Sequence, residues 1–206
     1  MSKLRILAAA LLMGVLAAPA AMADDSDVAG HIDLHVRGVY VAPEANIHSN
    51  VLSPGGSITD SYVPEIDATY FLTNHIGVEA IAATTNNSVH YHGLDLGSVW
   101  LLPPTVTVKY YYDAAGPIRP YVGAGVNYTA FYSPRSGALP GMRYGNNWGT
   151  ALQAGVDVPL GDSPYFLNLD VKQIFLTDDV KAAGGAVHAL AVINPLLFGV
   201  GFGVRF

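Results

Sequence analysis

Hydrophobic and polar residues alternate along most of this chain with a period of two. Between His31 and Ala42 the even-numbered positions are mainly apolar, whereas the odd-numbered positions begin with His31, Asp33, His35 and Arg37. Successive side chains of a β-strand point to opposite faces of its sheet. The pattern therefore predicts a strand with one apolar face and one polar face.

Further segments repeat this alternation, so the sequence predicts an all-β fold of eight strands. The other seven lie at residues 62–70, 76–83, 102–112, 122–129, 148–158, 165–172 and 198–206. Their predicted connections alternate in length, being short at 73–75, 113–118 and 160–164 and long at 43–61, 86–99, 133–147 and 177–187. An eight-stranded antiparallel transmembrane β-barrel of the bacterial outer membrane has this arrangement, with four long extracellular loops and both termini in the periplasm.

Aromatic residues lie near both ends of the predicted strands. Those near the long connections are Tyr40, Tyr62, Trp100, Tyr132 and Trp148, and those near the short turns are Tyr70, Tyr110, Tyr112 and Tyr165. Tyr and Trp favour the two interfaces between membrane and water. A soluble sandwich or lipocalin-like barrel is the alternative, but its apolar face points inward. The glycines and opposite charges on the polar face of this chain favour apolar side chains outside and polar ones inside.

The N-terminus has the features of a secretory signal peptide. Lys3 and Arg5 precede an apolar run at 6–18, and Ala21 and Ala23 form a small-x-small cleavage pattern. We therefore predict a signal peptide at 1–23 and a single barrel domain at 24–206. The mature protein is expected to be exported.

Composition excludes several classes of protein. The chain has 206 residues, is 51% hydrophobic, has a formal net charge of −6 and contains no cysteine. After the N-terminal segment no apolar run reaches the roughly 20 residues of a membrane helix, and no cluster of Lys and Arg indicates nucleic acid. His90 and His92 lie two residues apart without a third defined ligand. We predict no nucleic-acid partner, no cofactor, no metal site and no enzymatic activity.

Several segments resemble the outer membrane protein W (OmpW) family. They are LPPT at 102–105, RPYVGAGVNYT at 119–129, QAGVD at 153–157, FLNLDVK at 166–172 and INPLLFGVGFGVRF at 193–206. The resemblance implies a small porin-like barrel with a narrow, partly hydrophobic lumen and a role in the uptake of small hydrophobic molecules. Some relatives serve as bacteriocin receptors. The C-terminal Phe206 resembles the signal that the barrel assembly machinery recognises.

The predicted strand directions separate the inward-facing residues into two layers. The layer nearer the long connections is apolar and includes Val39, Val41, Val63, Ile81, Leu101, Phe131, Ile174 and Leu176. The layer nearer the short turns is charged and includes Asp33, Arg37, Asp67, Glu79, Lys109, Asp157, Asp170 and Lys172, together with His35, Asn127 and Asn168. Opposite charges in a narrow barrel are expected to pair and close it. The apolar layer either packs the barrel core or binds an apolar ligand.

Four prolines fall within three of the predicted strand regions. Pro103 and Pro104 lie together in the fourth strand, and Pro64 and Pro195 lie in the second and the eighth. Proline cannot donate a hydrogen bond to a sheet. Pro103 and Pro104 are therefore candidates for a lateral gate through which an apolar ligand leaves sideways into outer-membrane lipid, and an ordinary bulge near the rim is the alternative.

Two functions follow from these patterns. The first is a narrow channel or binding funnel for small hydrophobic molecules, with lateral release into the membrane. The alternative is a structural or receptor barrel that acts through its extracellular loops. An outer-membrane enzyme would need a nucleophile setting such as G-x-S-x-G, and the sequence offers none.

Overall fold

A computed structural model of the chain describes residues 28–42, 45–49, 57–58, 60–91, 94–112, 117–137, 143–182 and 187–206. The predicted signal peptide lies outside these residues. The strands are β1 (Ile32–Ala42), β2 (Ala45–Ser49), β3 (Ser57–Ile58), β4 (Ser61–Phe71), β5 (Ile76–Ala83), β6 (Thr85–Tyr91), β7 (Leu94–Leu102), β8 (Thr105–Tyr111), β9 (Arg119–Ser136), β10 (Arg143–Tyr144), β11 (Asn147–Pro159), β12 (Tyr165–Ala182), β13 (Val187–Ile193) and β14 (Leu196–Arg205). Within this part of the chain no helix is long and apolar enough to cross a membrane.

Eight of these strands form a closed antiparallel barrel, as the alternation predicts. Their order around the wall is β1, β4, β5, β8, β9, β11, β12 and β14. β14 then pairs with β1 from Asp33↔Arg205 to Ala42↔Leu196, which closes the ring. Ile32 and Phe206 also exchange backbone hydrogen bonds of 3.2 and 2.9 Å at the end of this seam.

The barrel has two different ends. One end of the barrel, here called the turn end, contains the last residues of β4, β8 and β11, the first residues of β5, β9 and β12, and the C-terminus. At the other end, here called the loop end, β12 pairs with β13 and β10, and β13 pairs with β2. On the other side of the loop end, β7 pairs with β6 and β9, and β6 pairs with β3.

β structure thus extends into the connections that the sequence predicts as long. Residues 86–99 contain most of β6 and β7, and residues 177–182 complete β12. The sequence TNNS at 85–88 has weak strand propensity and no apolar alternation, so periodicity does not reveal it. This segment becomes a strand because its backbone pairs with β7, beginning at Thr85↔Leu101.

The two faces of the wall follow the predicted alternation. Val126 and Val200 are 51% and 57% exposed on the outer surface, and Val106 and Leu169 are exposed in the same way. The positions between them point into the lumen and are buried, small or both. An apolar outer face and a polar interior are the arrangement that a lipid bilayer requires.

Candidate functional site

Arg37 lies at the centre of a buried group of charged side chains in the turn-end half of the lumen. Its Nη2 contacts Asp67 and lies 2.7 Å from Glu79 Oε1, while its Nη1 lies 3.4 Å from both Glu65 and Asp170. None of these five residues is more than 4% exposed. They come from β1, β4, β5 and β12, so one guanidinium group joins four strands across the lumen.

Two lysines and a histidine complete this group. Lys109 Nζ contacts Glu79, and Lys172 Nζ lies 3.3 Å from Glu65 Oε1. His35 Nδ1 lies 2.6 Å from Asp67 Oδ1, and its Nε2 lies 3.8 Å from an oxygen of Asp157. The charged cluster is defined here as His35, Arg37, Glu65, Asp67, Glu79, Lys109, Asp157, Asp170 and Lys172. Asp33, which the sequence placed in the same layer, pairs separately with Arg205 at 2.8 Å.

Glycines on the inner face of β14 leave room for this cluster. A Cβ atom at Gly199 would lie 3.3 Å from Arg37 Cδ, and one at Gly203 would lie 3.0 Å from His35 Cδ2. β14 is paired with β1 in register, with Arg37 opposite Gly201 and His35 opposite Gly203. The small residues of β14 therefore accept the large side chains of β1.

An aromatic layer covers the charged cluster at the turn end. Val28, Phe71, Tyr111 and Tyr121 form one buried apolar group. The guanidinium of Arg119 lies 4.9 Å from the ring centre of Phe71 and 4.8 Å from that of Tyr111. Such cation–π contacts fix both the cation and the rings.

The N-terminal residues of the described chain hold this layer in place. The N–H groups of Val28 and Ala29 each donate a 3.0 Å hydrogen bond to Asn74 Oδ1, and Gly30 N–H donates to Phe71 O at 2.8 Å. Gly30 has a φ of 85°, which favours glycine. The chain thus turns across the turn end before it enters β1.

The apolar layer lies next to the charged cluster, on the side of the loop end. Val39 and Val41 follow Arg37 on the inner face of β1, and Ile174 and Leu176 follow Lys172 on β12. A buried apolar cluster unites these residues with others from neighbouring strands; its members are Val39, Val41, Val63, Ala151, Ile174, Leu176 and Leu197. This apolar cluster lines the β11, β12, β14, β1 and β4 side of the lumen.

Three of the residues predicted for the apolar layer lie outside this cluster. Ile81 is buried on β5, the strand next to β4. Leu101 and Phe131 are half-buried and lie opposite each other in the β7–β9 ladder. The structure therefore divides the predicted apolar layer into a buried cluster and a separate pair near the loop end.

Polar side chains occupy the lumen wall between that pair and the charged cluster. Asn127 Nδ2 donates to Thr105 Oγ1 at 2.8 Å, and Thr129 Oγ1 donates to Asn127 Oδ1 at 2.7 Å. All three are at most 3% exposed. Sequence reasoning placed Asn127 in the charged layer, whereas the structure places it beside Pro103 and Pro104.

Breaks in the sheet lie side by side on three neighbouring strands. Thr84 separates β5 from β6, and Pro103 and Pro104 separate β7 from β8. The β4–β5 ladder runs toward the loop end as far as Glu65↔Ala83, so Pro64 follows its last pair. The registers on either side of the prolines are continuous, so the two prolines interrupt one ladder and do not shift it.

Sequence reasoning missed several residues of the charged cluster and its surroundings. Glu65 lies between Val63 and Asp67 on the inner face of β4, and strand alternation alone could have identified it. Gln153 donates to Glu79 Oε2 at 2.7 Å, and Tyr121 donates to Asp170 Oδ2 at 2.8 Å. These two contacts depend on cross-lumen distances that no local pattern encodes.

His35, Asp67 and Glu79 bring their ligand atoms within 4.8 Å of one another, as metal ligands do. Arg37 and Lys109 already provide positive charge to these carboxylates. The donor set is therefore that of an ion-pair cluster. Of the two histidines considered from sequence, His92 lies outside the described residues.

The closed ring, the lipid-facing apolar surface and the polar interior define a β-barrel of the bacterial outer membrane. The sequence model of the OmpW family matches residues 29–206. The chain belongs to the OmpW family, as the segments quoted above predict.

Characterised and uncharacterised relatives agree with this assignment. Outer membrane protein W of Escherichia coli is 32% identical over 220 residues, covering 100% of both chains. The uncharacterized outer-membrane protein y4mB of Sinorhizobium fredii is 38% identical over 182 residues, covering 84% of this chain and 79% of the relative. The dibenzothiophene metabolism operon protein PahQ of Pseudomonas aeruginosa is 30% identical over 162 residues, covering 74% of this chain and 76% of the relative.

Solved structures share the fold. The outer membrane protein OprG from Pseudomonas aeruginosa superposes with a TM-score of 0.79 at 22% identity, covering 89% of this chain and 99% of OprG. The outer membrane protein AlkL in lipid bilayers superposes with a TM-score of 0.74 at 24% identity, covering 92% of this chain and 95% of AlkL. In outer-membrane barrels the short turns are periplasmic and the longer loops extracellular, and we expect the turn end and the loop end of this barrel to be oriented in the same way.

Proposed function

We propose that this barrel takes up small hydrophobic molecules from the extracellular side and releases them sideways into the outer membrane. The observation that carries the proposal is the order of layers in the lumen. The apolar cluster lies on the loop-end side of the charged cluster, in which Arg37 joins β1 to β4, β5 and β12.

The apolar cluster favours an apolar solute over water. Burying apolar surface against Val41 or Leu176 contributes roughly 25 cal/mol for each Å² removed from water. Passage through the charged cluster would add no comparable apolar contact and would separate paired buried charges. Binding in the extracellular half therefore lowers the free energy of an apolar solute, and the charged cluster is a barrier to its further passage toward the periplasm.

The breaks at Pro64, Thr84, Pro103 and Pro104 offer a different exit. They lie on adjacent strands, near the half-buried side chains of Leu101 and Phe131. Two prolines remove two donors from the sheet, so separating the strands there costs fewer backbone hydrogen bonds than elsewhere. The name of the relative PahQ, which refers to a dibenzothiophene metabolism operon, is in keeping with an apolar solute.

The test uses an apolar fluorescent probe, N-phenyl-1-naphthylamine, with the purified barrel in lipid nanodiscs and with cells. Leu101→Asp and Phe131→Asp place a charge beside the proposed exit, so each is expected to weaken probe binding about tenfold or more and to slow uptake. Leu101→Ile is the matched control and should bind as the parent does. Probe binding that survives both Asp substitutions in a folded barrel would contradict a ligand role for this part of the lumen.

Release is tested in the same preparation. Replacing Pro103 and Pro104 together by Val restores two N–H donors and is expected to slow release more than binding. If uptake is unchanged by all of these variants and is lost on shortening the extracellular loops, the receptor function becomes the better interpretation.

Two partners accompany this proposal. Outer-membrane lipid surrounds the apolar face and would receive the released solute. The barrel assembly machinery would recognise the C-terminal Phe206 before the barrel closes, because afterwards the backbone of Phe206 is paired with Ile32. We assign the barrel a transport role rather than a catalytic one.

A further inference from the structure

The two adjacent prolines lie between β7 and β8, where the barrel wall has no strand assignment. Tyr128 N–H donates to Pro104 O at 3.0 Å, so residue 104 directs its carbonyl toward β9. Neither proline has an N–H group, so the wall lacks two backbone donors at this point.

Side chains on the lumen side donate hydrogen bonds to the carbonyl oxygens of the two prolines. Asn127 Nδ2 lies 3.3 Å from Pro103 O and 3.4 Å from Pro104 O, and Thr105 Oγ1 donates to Pro103 O at 3.1 Å. Thr129 Oγ1 donates to Asn127 Oδ1 and fixes the orientation of the amide. These three residues, Thr105, Asn127 and Thr129, are called the Asn127 cluster.

A second group of contacts crosses the break toward β5. The hydroxyl of Thr84 donates to Leu101 O at 3.2 Å and lies 2.7 Å from Tyr132 OH. Thr84 is exposed, whereas Asn127 is 0% exposed. At this place the barrel wall is therefore joined by side chains in addition to its backbone ladder.

We infer that the Asn127 cluster is the closure of the lateral exit, and that breaking the contacts of the Asn127 amide with Pro103 and Pro104 precedes release of a solute. This inference rests on the proposed lateral release and names the residues that regulate it. The contacts of 3.3 and 3.4 Å are longer than the usual 2.9–3.0 Å of N–H···O hydrogen bonds, so they are the weakest links across this seam. A side chain can also rotate away, whereas a ladder bond breaks only when a strand moves.

Closure is measured without any ligand, from the exchange of the Tyr128 amide hydrogen with deuterium. Its acceptor is Pro104 O, so it reports directly on the seam. Asn127→Leu removes the amide at nearly constant volume and is expected to raise the Tyr128 exchange rate about tenfold. Thr129→Val, a milder change, should raise the rate less. Exchange at Val126, the next ladder position toward the periplasm that faces β8, is the internal reference and should stay unchanged.

The absence of cysteine in the chain allows the seam to be locked. Leu102 and Ala130 are opposite each other in the β7–β9 ladder, and paired residues at 4.5–5.5 Å between Cα atoms are within disulfide range. Leu102→Cys with Ala130→Cys, oxidised in the Asn127→Leu background, is expected to return Tyr128 exchange to the parent rate and to slow probe release. The reduced form of the same protein is the control.

The outcomes separate this inference from the function on which it rests. If Tyr128 exchange is the same in the parent, Asn127→Leu and Thr129→Val barrels, the Asn127 cluster does not close the seam and the inference is overturned. If Tyr128 exchange responds as expected but the disulfide between positions 102 and 130 leaves probe release unchanged, the Asn127 cluster closes the seam. The proposal of lateral release is then the part that is wrong.

Discussion

At the scale of single residues, Arg37 contacts four buried carboxylates at once. Four carboxylates, those of Glu65, Asp67, Glu79 and Asp170, lie within 3.4 Å of its guanidinium nitrogens. Removing one partner from a buried pair leaves an uncompensated charge, which costs more than the pair itself contributes. The stability of the lumen therefore depends on this residue more than on any one of its partners.

Arg37→Ala is expected to lower the free energy of unfolding by about 3–5 kcal/mol. Arg37→Lys keeps the charge but cannot reach four carboxylates with a fork of nitrogens, so its loss should be intermediate. Unfolding in urea, followed by the intrinsic fluorescence of the barrel in lipid vesicles, measures both. If the free energy of unfolding falls only as much as on loss of an exposed ion pair, solvent reaches the charged cluster.

Residue patterns predict the charged cluster only in part. Alternation predicts that Asp67, Glu79, Lys109 and Lys172 share the polar face, because the face of a strand residue depends on whether its position is odd or even. The structure buries all four side chains. Parity does not tell which side chains meet across the lumen. The separate Asp33–Arg205 pair is an example, because its partners are 172 positions apart in the sequence and meet only when the barrel closes.

At the scale of elements, sequence reasoning succeeds where one face of a strand is apolar. β8 and β14 alternate fully, and their predicted and observed faces agree. β6 could not be predicted from alternation. Its residues do not alternate between apolar and polar, and the strand is formed by backbone pairing with β7. The breaks at Pro103 and Pro104 were visible in the sequence, whereas their bridging by Asn127 was not.

The outer face of β9 gives a test at this scale. Val126 is 51% exposed and lies in the middle of the β8–β9 ladder. Val126→Arg is expected to cost about 2–4 kcal/mol if this position is near the bilayer midplane, and Val126→Leu should cost almost nothing. The measurement is again reversible unfolding in vesicles. An arginine tolerated at position 126 would mean that this face of β9 does not contact lipid.

At the scale of the whole molecule, two consecutive buried layers lie between the apolar cluster and the turn end of the barrel. The first is the charged cluster, and the second is the aromatic layer with Arg119 and the turn at Val28. An eight-stranded barrel has an interior just wide enough to be filled by side chains. The same architecture that would retain an apolar solute should therefore also restrict ions.

We expect the purified barrel in a planar bilayer to carry only a small ion current. Lys109→Met and Arg37→Met each remove one of the two cations that contact Glu79, which leaves excess negative charge in the charged cluster. Each is expected to change the current and to shift selectivity toward cations, because the lumen becomes more negative. Val200→Leu on the outer face is the control and should leave the current unchanged. A large, steady conductance that neither Met substitution alters would show that the charged cluster is not the constriction. The solute would then have an open path to the periplasm and would not need the exit at Pro103 and Pro104.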